Sequence, residues 1–493
     1  MDICKYICWC IQYRGYFYFP AGNNYWSSTE NNTSNAWNLN VNGSNGVNIN
    51  NNNKTNSNRV RCVREFTATH FFFIKMYMAL LEDIFIAYYD ARKNKRNTTN
   101  QLKFEMNLEE NLLELYHEIN ERRYVVGRSI CFMITKPVKR EVFAADFRDR
   151  IVHHVLFNYI NPVFEKTFIC DSYSCRVGKG NLYGIHRLEK HIRSCSNNYK
   201  ETCYILKLDL SGYFMNINRY KLYDCICKTM HKYGEKRIID GVKWKDTPEY
   251  DVAMYLIPLI VFNDPVEKCY RKGTIKEWEG LPPSKSLFHT PKDCGLPIGN
   301  LTSQLFSNVY LNSFDQYVKR ELGIRHYGRY VDDFYLVHND KDYLISLIPE
   351  IRNYLWESIG ATLHPYKVNL TTCWQGVDFV GGMVKPFRTY VKNRTKRNFL
   401  GKLYHYDRQL EKTENPSVDF LEEMRSSINS YLGLMQHFRS YNVKKRMMER
   451  YPFVFRYGYL TTHMNQYVLK KELLHPYKYR QQQLMEEAER EHF

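Results

Sequence analysis

The strongest constraint on this chain is a set of three carboxylates carried by apolar runs. Asp332 and Asp333 stand in Tyr330-Val331-Asp332-Asp333, and Asp209 closes Leu206-Lys207-Leu208-Asp209 well upstream. Between them lies Gly295-Leu296-Pro297-Ile298-Gly299-Asn300-Leu301-Thr302-Ser303-Gln304. An adjacent pair of aspartates, taken alone, is commonly a solvated turn. Here the flanks matter: residues 324–330 and 334–337 are rich in β-branched and aromatic side chains, which predicts a hairpin with both aspartates at its tip. Residues 204–208 read as a buried strand that delivers Asp209 at its C-terminal end. Acidic ligands on rigid elements suit a two-metal phosphoryl-transfer site, in which two Mg²⁺ ions ~3.5–4 Å apart brace the attacking and leaving oxygens.

The 493 residues suffice for several subdomains around sizeable cores. A formal net charge of +18 points to a polyanionic partner, nucleic acid before membrane. The excess is uneven. Residues 385–493 carry 21 Lys+Arg against 12 Asp+Glu, a net of +9 and so half of the total. The cysteines form no paired Cys-x₂-Cys units, and the cluster of Cys4, Cys8 and Cys10 has no second ligand group to answer it. Reduced thiols are expected rather than a zinc site. Met1 to Phe19 lacks a basic start and a continuous apolar stretch, so no signal peptide is expected. Lys75, Glu82 and Asp83 interrupt the apolar region from Phe71 to Tyr89, which argues against a membrane span. A cytoplasmic location is the simplest expectation.

In this order and context, the carboxylate segments resemble the palm of a reverse transcriptase. The resemblance extends over about residues 80–450. Lys139 to His154 is similar to the fingers motif of bacterial reverse transcriptases, and it implies that Arg140 or Arg148 holds triphosphate or template phosphate. Either could instead form a structural ion pair. His153 and His154 are read as packing or hydrogen-bonding groups. Asp171 to Gly180 resembles the second fingers motif, with Arg176 and Lys179 beside flexible glycines near the nucleic-acid backbone; a plain basic loop is the alternative. Phe214, five positions after Asp209, matches the aromatic gate that rejects a sugar 2′-OH, although it also suits a core position.

Ile298-Gly299 and Ser303-Gln304 narrow the resemblance to enzymes of diversity-generating retroelements, which place an aliphatic residue before the glycine and Gln304 after the serine. An isoleucine there offers apolar contact but no side-chain hydrogen bond to substrate, so weaker rejection of mismatches is expected. Leu363 to Lys367 resembles the motif that brings a lysine to the leaving pyrophosphate, where Lys367 would act as electrostatic stabiliser or proton donor. A surface lysine is the other reading. Gly376 to Gly382 looks like the primer-grip hairpin. Beyond it, Phe420, Met424, Ile428, Tyr431 and Met435 mark an amphipathic helix. With Lys392, Arg394, Lys396 and Arg397 before it, the region suits a basic helical thumb that grips a duplex by its phosphates, or an ordinary bundle with a solvated basic face.

The composition breaks near residue 66. Between Asn23 and Asn58, 16 of 36 residues are asparagine, the signature of a disordered polar tract. Yet Tyr25 to Glu30, Ala36 to Leu39 and Arg59 to Arg64 resemble the last strands of a C-type-lectin-like domain, without the partner strands for a stable core. In diversity-generating elements a template repeat, a near-copy of the end of a target gene, often lies beside the polymerase gene, and its adenine-rich Asn codons are miscopied. Residues 1–66 are therefore read as a translated template repeat, with Met76 or Met78 as the alternative start; a fortuitous Asn-rich linker is the plainer option.

The resemblance implies an α+β, right-hand polymerase fold of fingers, palm and helical thumb, preceded by a poorly folded Asn-rich segment. The expected divisions are 1–66, then 67–205 for N-terminal helices and fingers. Residues 206–384 follow as palm, with a long irregular insertion at 220–285, and 385–493 as basic thumb and tail. The implied metal set is Asp209, Leu210, Asp332 and Asp333, holding two Mg²⁺ ions. The implied activity is RNA-directed DNA synthesis, an error-prone copying of template-repeat RNA into cDNA from dNTPs for diversifying a target gene. A small basic accessory protein, a pentameric helical barrel, is the implied partner. The rivals are a retron-type or antiphage-defence reverse transcriptase, a group II intron enzyme, and a non-catalytic RNA-binding scaffold. The thumb region has no Val-Thr-Gly, which counts against a retron.

Overall fold

The computed structural model describes residues 23–30, 35–42, 46–53, 68–93, 97–135 and 138–474, with side chains from 79 to 473. The cysteine cluster at Cys4, Cys8 and Cys10 and the strand-like Arg59 to Arg64 lie outside the described residues. The chain divides into two compact units, Met1–Ala79 and Leu80–Phe493. In the first, β1 (Asn23–Glu30), β2 (Asn35–Asn42) and β3 (Gly46–Asn53) form an antiparallel meander within the Asn-rich segment. Three strands are about the least that can stand as an independent sheet.

Helix α1 (Ala68–Arg92) runs across the division, and its part in the larger unit buries Leu81, Ile84 and Tyr88 on one stripe; α2 (Thr99–Glu105) and α3 (Leu108–Asn120) follow. Strands β4 (Ile130–Ile134) and β5 (Arg140–Ala144) pair antiparallel and lead into α4 (Phe147–Glu165). Asp146 starts α4, its carboxylate accepting from the Arg148 amide at 3.1 Å. Next come α5 (Asn181–Cys195), β6 (Tyr204–Asp209), the single turn α6 (Tyr213–Asn216), α7 (Arg219–Lys236) and α8 (Pro248–Val261). A two-residue strand β7 (Tyr270–Arg271) joins β4 in parallel.

The first half of the insertion, expected to be irregular, is instead mostly helical. Leu222, Ile226 and Met230 give α7 a narrow buried stripe, and Thr247 with Pro248 at the first helical position starts α8. Only the stretch after Val261 is dominated by short 3₁₀ turns and loops.

Helix α9 (Leu301–Gln316) buries Phe306, Tyr310 and Phe314, as the four-residue spacing predicts. The chain then forms β8 (His326–Tyr330), β9 (Asp333–His338), α10 (Lys341–Tyr354) and β10 (Asn369–Thr372). These strands and β6 make one antiparallel sheet in the order β8-β9-β6-β10. Both faces are covered, which explains why β9 reads as a continuous apolar run rather than an alternating one. Tyr335 and Val337 join Ile185, Leu188 and Ile192 of α5 on one face, while the Phe334 ring lies 5.1 Å from Phe314 of α9 on the other.

A small meander, β11 (Val377–Phe379), β12 (Gly382–Lys385) and β13 (Arg388–Val391), precedes the helices α11 (Asn393–Leu410), α12 (Val418–Met435) and α13 (Tyr441–Glu449). Met424, Ile428 and Met435 are buried along α12, with Phe420 and Tyr431 packed at the margin of the same core. Among the described residues no helix is long and apolar enough to cross a membrane.

His153 of α4 is a buried hydrogen-bonding group, its Nδ1 2.8 Å from Thr302 Oγ1 of α9. Burial, then the neighbouring His154 and Arg150, pushes its pKa down to about 4. A histidine depressed in the folded state contributes stability that is complete above its unfolded pKa and is lost as pH falls towards the folded one. The stability difference between the native protein and His153→Gln should therefore shrink by about 3 kcal/mol between pH 7 and pH 4. Urea denaturation across that range checks it, and a pH-independent difference would refute the assignment.

Candidate active site

Register assembles the acidic cluster. Asp333 is directly opposite Asp209 in the β9–β6 ladder, and Asp332 lies in the two-residue turn that joins β8 to β9. The Leu210 amide donates to the Asp332 carbonyl at 3.3 Å, so the end of β6 and the turn are tied together by main chain. The turn is unusual. Val331 has φ +56°, a left-handed conformation that a β-branched residue seldom adopts. Its carbonyl accepts from Arg329 Nη1 at 2.8 Å. Arg329 is fully buried and bidentate on Asp315 of α9, at 2.8 Å from Nε to Oδ1 and 2.6 Å from Nη2 to Oδ2. Tyr327 donates to the same carboxylate, and Ser172 Oγ accepts from the guanidinium. A buried polar network thus underlies the turn that carries Asp332.

The electrostatics of the cluster are those of a site short of positive charge. Burial, then the Asp209 and Asp333 carboxylates, raises the Asp332 pKa to about 6. Asp333 is also raised by burial, against the pull of Lys207. Lys207 sits two residues before Asp209 and shares its face of the sheet, so it reaches Asp333 on the diagonal, Nζ to Oδ2 at 3.2 Å. Lys367 places its Nζ 3.0 Å from Asp209 Oδ2. Among the described residues no set of three or more His, Cys, Asp or Glu is placed to hold an ion. Even so, Asp333 Oδ1 is buried without a hydrogen-bond partner. A buried, partnerless carboxylate oxygen beside two more carboxylates is a hard-oxygen set that fits a divalent cation.

The other expected residues fall into two groups, those around an apolar cluster and the start of α9, and the basic ones. Phe214 on α6 and Ile298 pack against one small apolar cluster with Phe143, Cys131 and Met215. The Ile298 carbonyl accepts from the Phe143 amide at 2.8 Å, which ties β5 to the segment ahead of α9. Gly299 has φ +131°, and a Cβ there would lie 2.8 Å from the Phe143 carbonyl oxygen, so only glycine fits. Gln304 is exposed on the first turn of α9.

Among the basic residues, Arg140 is exposed at the start of β5 and forms no ion pair among the described residues. Arg148 pairs with Glu118 and lies 5.0 Å over the Tyr124 ring. Arg176 is similarly engaged, donating to Glu165 Oε1 and to the Ile169 and Ser172 carbonyls. Lys179 Nζ reaches the Cys170 carbonyl at 2.6 Å. These two brace their own loop. Lys392 pairs with Asp378, while Lys396, Arg397 and Arg394 crowd the first turn of α11, where no acidic residue stands. Sequence reasoning gave no role to Lys207, Arg329 or Glu141. The period-two spacing of Lys207 and Asp209 was a usable signal; an arginine in an otherwise apolar strand was another.

A family model described as reverse transcriptase (RNA-dependent DNA polymerase) matches residues 140–404. Comparison with curated proteins gives no match. Among solved structures, telomerase from Candida tropicalis truncated from its C-terminal domain is 12% identical with a TM-score of 0.38, over 57% of this chain and 60% of that one. Telomerase from Candida albicans, in complex with a TWJ fragment of telomeric RNA, is 12% identical with a TM-score of 0.38, over 73% of this chain and 64% of that one. The chain spans less than two thirds of the length of either.

Proposed function

Because the chain belongs to the reverse transcriptase family, the RNA-dependent DNA polymerases, we propose that its carboxylate cluster extends a DNA primer along an RNA template. The observation that carries this reading is the register that sets Asp333 opposite Asp209, with Asp332 in the adjoining turn. Asp209, Asp332, Asp333 and the Leu210 carbonyl would hold two Mg²⁺ ions, which supply charge for the attacking oxygen and the leaving pyrophosphate. Around them the chain positions the reactants. Phe214 stands as the ring beneath the sugar, Ile298 and Gly299 abut the nascent pair, and Gln304 borders it. Lys367, half exposed and paired with Asp209, can turn towards the pyrophosphate and stabilise it or give it a proton. Arg140 is the fingers cation left open for triphosphate. Lys392, Arg394, Lys396 and Arg397 place like charge at the positive end of α11, an arrangement that duplex phosphates relieve.

The same proposal extends to error-prone copying of a template repeat for gene diversification, with a small basic accessory protein as partner. Its support is the Ile298-Gly299 and Ser303-Gln304 pattern and the Asn-rich segment before the polymerase body. The test is primer extension by the purified chain on an RNA template of mixed sequence, followed by sequencing of the cDNA. Substitutions should concentrate at template adenines. Errors spread evenly over the four bases would leave a polymerase and remove the diversifying role, and a search of the flanking DNA for a near-copy of codons 20–64 would weigh the same point.

A further inference from the structure

The stretch between Val261 and Gly295, which the proposed function leaves without a role, is fastened to the fingers by one buried carboxylate. Glu141 of β5 is only 1% exposed. Its Oε1 accepts from Trp278 Nε1 at 2.9 Å and from Ser286 Oγ at 2.7 Å, and its Oε2 accepts from the Leu287 amide at 2.8 Å. Those donors all belong to the stretch between Val261 and Gly295. They satisfy a carboxylate that would otherwise be costly to bury.

The segment held in this way is not peripheral. Leu287 is buried in the apolar cluster with Phe143 and Met215, and both Phe214 and Ile298 pack against that cluster together with Trp278 and Phe288. The Phe143 and Phe288 rings lie 5.6 Å apart. Contact continues into the loop ahead of α9: a Cβ on Gly295, which has φ +91°, would lie 2.6 Å from Leu287 Cδ1. The two residues assigned to sugar and base-pair contact therefore share one backing, and Glu141 anchors it.

We infer that Glu141, Trp278 and Leu287 are positioning residues for nucleotide discrimination, acting through Phe214 and Ile298. A ring excludes a 2′-OH only if it cannot retreat, and its freedom to retreat is set by the packing behind it. An apolar pocket discriminates against one extra heavy atom by only about 10–200-fold, so a small loss of rigidity consumes much of the selectivity. The stretch between Val261 and Gly295 is thus the back wall of the pocket for the incoming deoxynucleoside triphosphate.

This inference rests on the polymerase reading, and the experiment separates the two. The full chain and the variants Glu141→Gln, Trp278→Phe and Leu287→Val are compared in primer extension on RNA, with kcat and KM measured for each dNTP and its rNTP. Gln at 141 turns an amide donor towards existing donors, Phe at 278 removes one hydrogen bond but keeps a ring, and Val at 287 shortens the wall. The dNTP over rNTP ratio of kcat/KM should fall at least tenfold in Glu141→Gln and by a smaller factor in the other two, mainly through a lower KM for the rNTP. A merely structural role would lower the active fraction, reducing kcat for both substrates alike and leaving the ratio in place. An unchanged ratio in Trp278→Phe and Leu287→Val overturns the inference, even if Glu141→Gln fails to fold. Absence of DNA synthesis by the native chain would instead overturn the polymerase reading.

Discussion

Asp332→Asn should abolish RNA-templated DNA synthesis, with a loss of roughly a thousandfold or more, and leave the fold intact. The size follows from the several kcal/mol of transition-state charge stabilisation that a properly held metal pair supplies. The preserved fold follows from the electrostatics. Burial and the Asp209 carboxylate raise the Asp332 pKa to about 6, so in the metal-free protein its ionised form is disfavoured by folding. A carboxyl raised in the folded state contributes stability that is complete below its unfolded pKa and is lost as pH rises through about 6. Metal-free native protein at pH 7.5 therefore carries a penalty that the neutral asparagine lacks, and Asp332→Asn should melt at the same temperature or slightly higher. Adding Mg²⁺ should raise Tm for the native chain, since a ligand that binds only the folded state stabilises it by mass action, and raise it less for the variant. Primer extension together with melting in EDTA and in Mg²⁺ gives both readouts. A variant that retains synthesis within tenfold of native would remove Asp332 from the site.

The sequence was most legible where one residue's environment is set by its immediate neighbours. Strand β6 and the β8–β9 hairpin read correctly because both faces of their sheet are covered, so the apolar runs are continuous and the polar break falls at the aspartates. Helices α9 and α12 were visible in four-residue spacing. Helices α7 and α8 were not. The large apolar side chains buried along α7 are Leu222, Ile226 and Met230 among many polar residues, and Pro258 inside α8 reads as a breaker although it lies in the helix's last turn. Partner choice was the other blind spot. Nothing local to Arg148 or Arg176 names Glu118 or Glu165, and the reach of Lys207 to Asp333 depends on a register that only the assembled sheet defines. Charge is written in the sequence; which charge it meets is a property of the fold.

Arg329→Met should cost about 3–5 kcal/mol of unfolding free energy, because it strands Asp315 as an unpaired charge in a fully buried position. Asp315→Leu, which strands the arginine instead, should cost a similar amount. The double variant Arg329→Met, Asp315→Leu removes both charges and fills the space with apolar volume, so its stability should return to within about 1–2 kcal/mol of native. Activity should not return with it. Val331 holds a left-handed backbone that costs on the order of 1–3 kcal/mol, and the Arg329 guanidinium bonded to its carbonyl helps to keep it there. Without that donor the turn relaxes towards a more ordinary conformation and takes Asp332 with it. The double variant should then bind dNTP with nearly native KM but turn over at least tenfold more slowly, since the aspartate is misplaced rather than missing. Urea denaturation of the three variants and steady-state primer extension separate the two contributions. Full activity in a well-folded double variant would mean that the turn holds its shape without Arg329, and that the buried pair serves the fold alone.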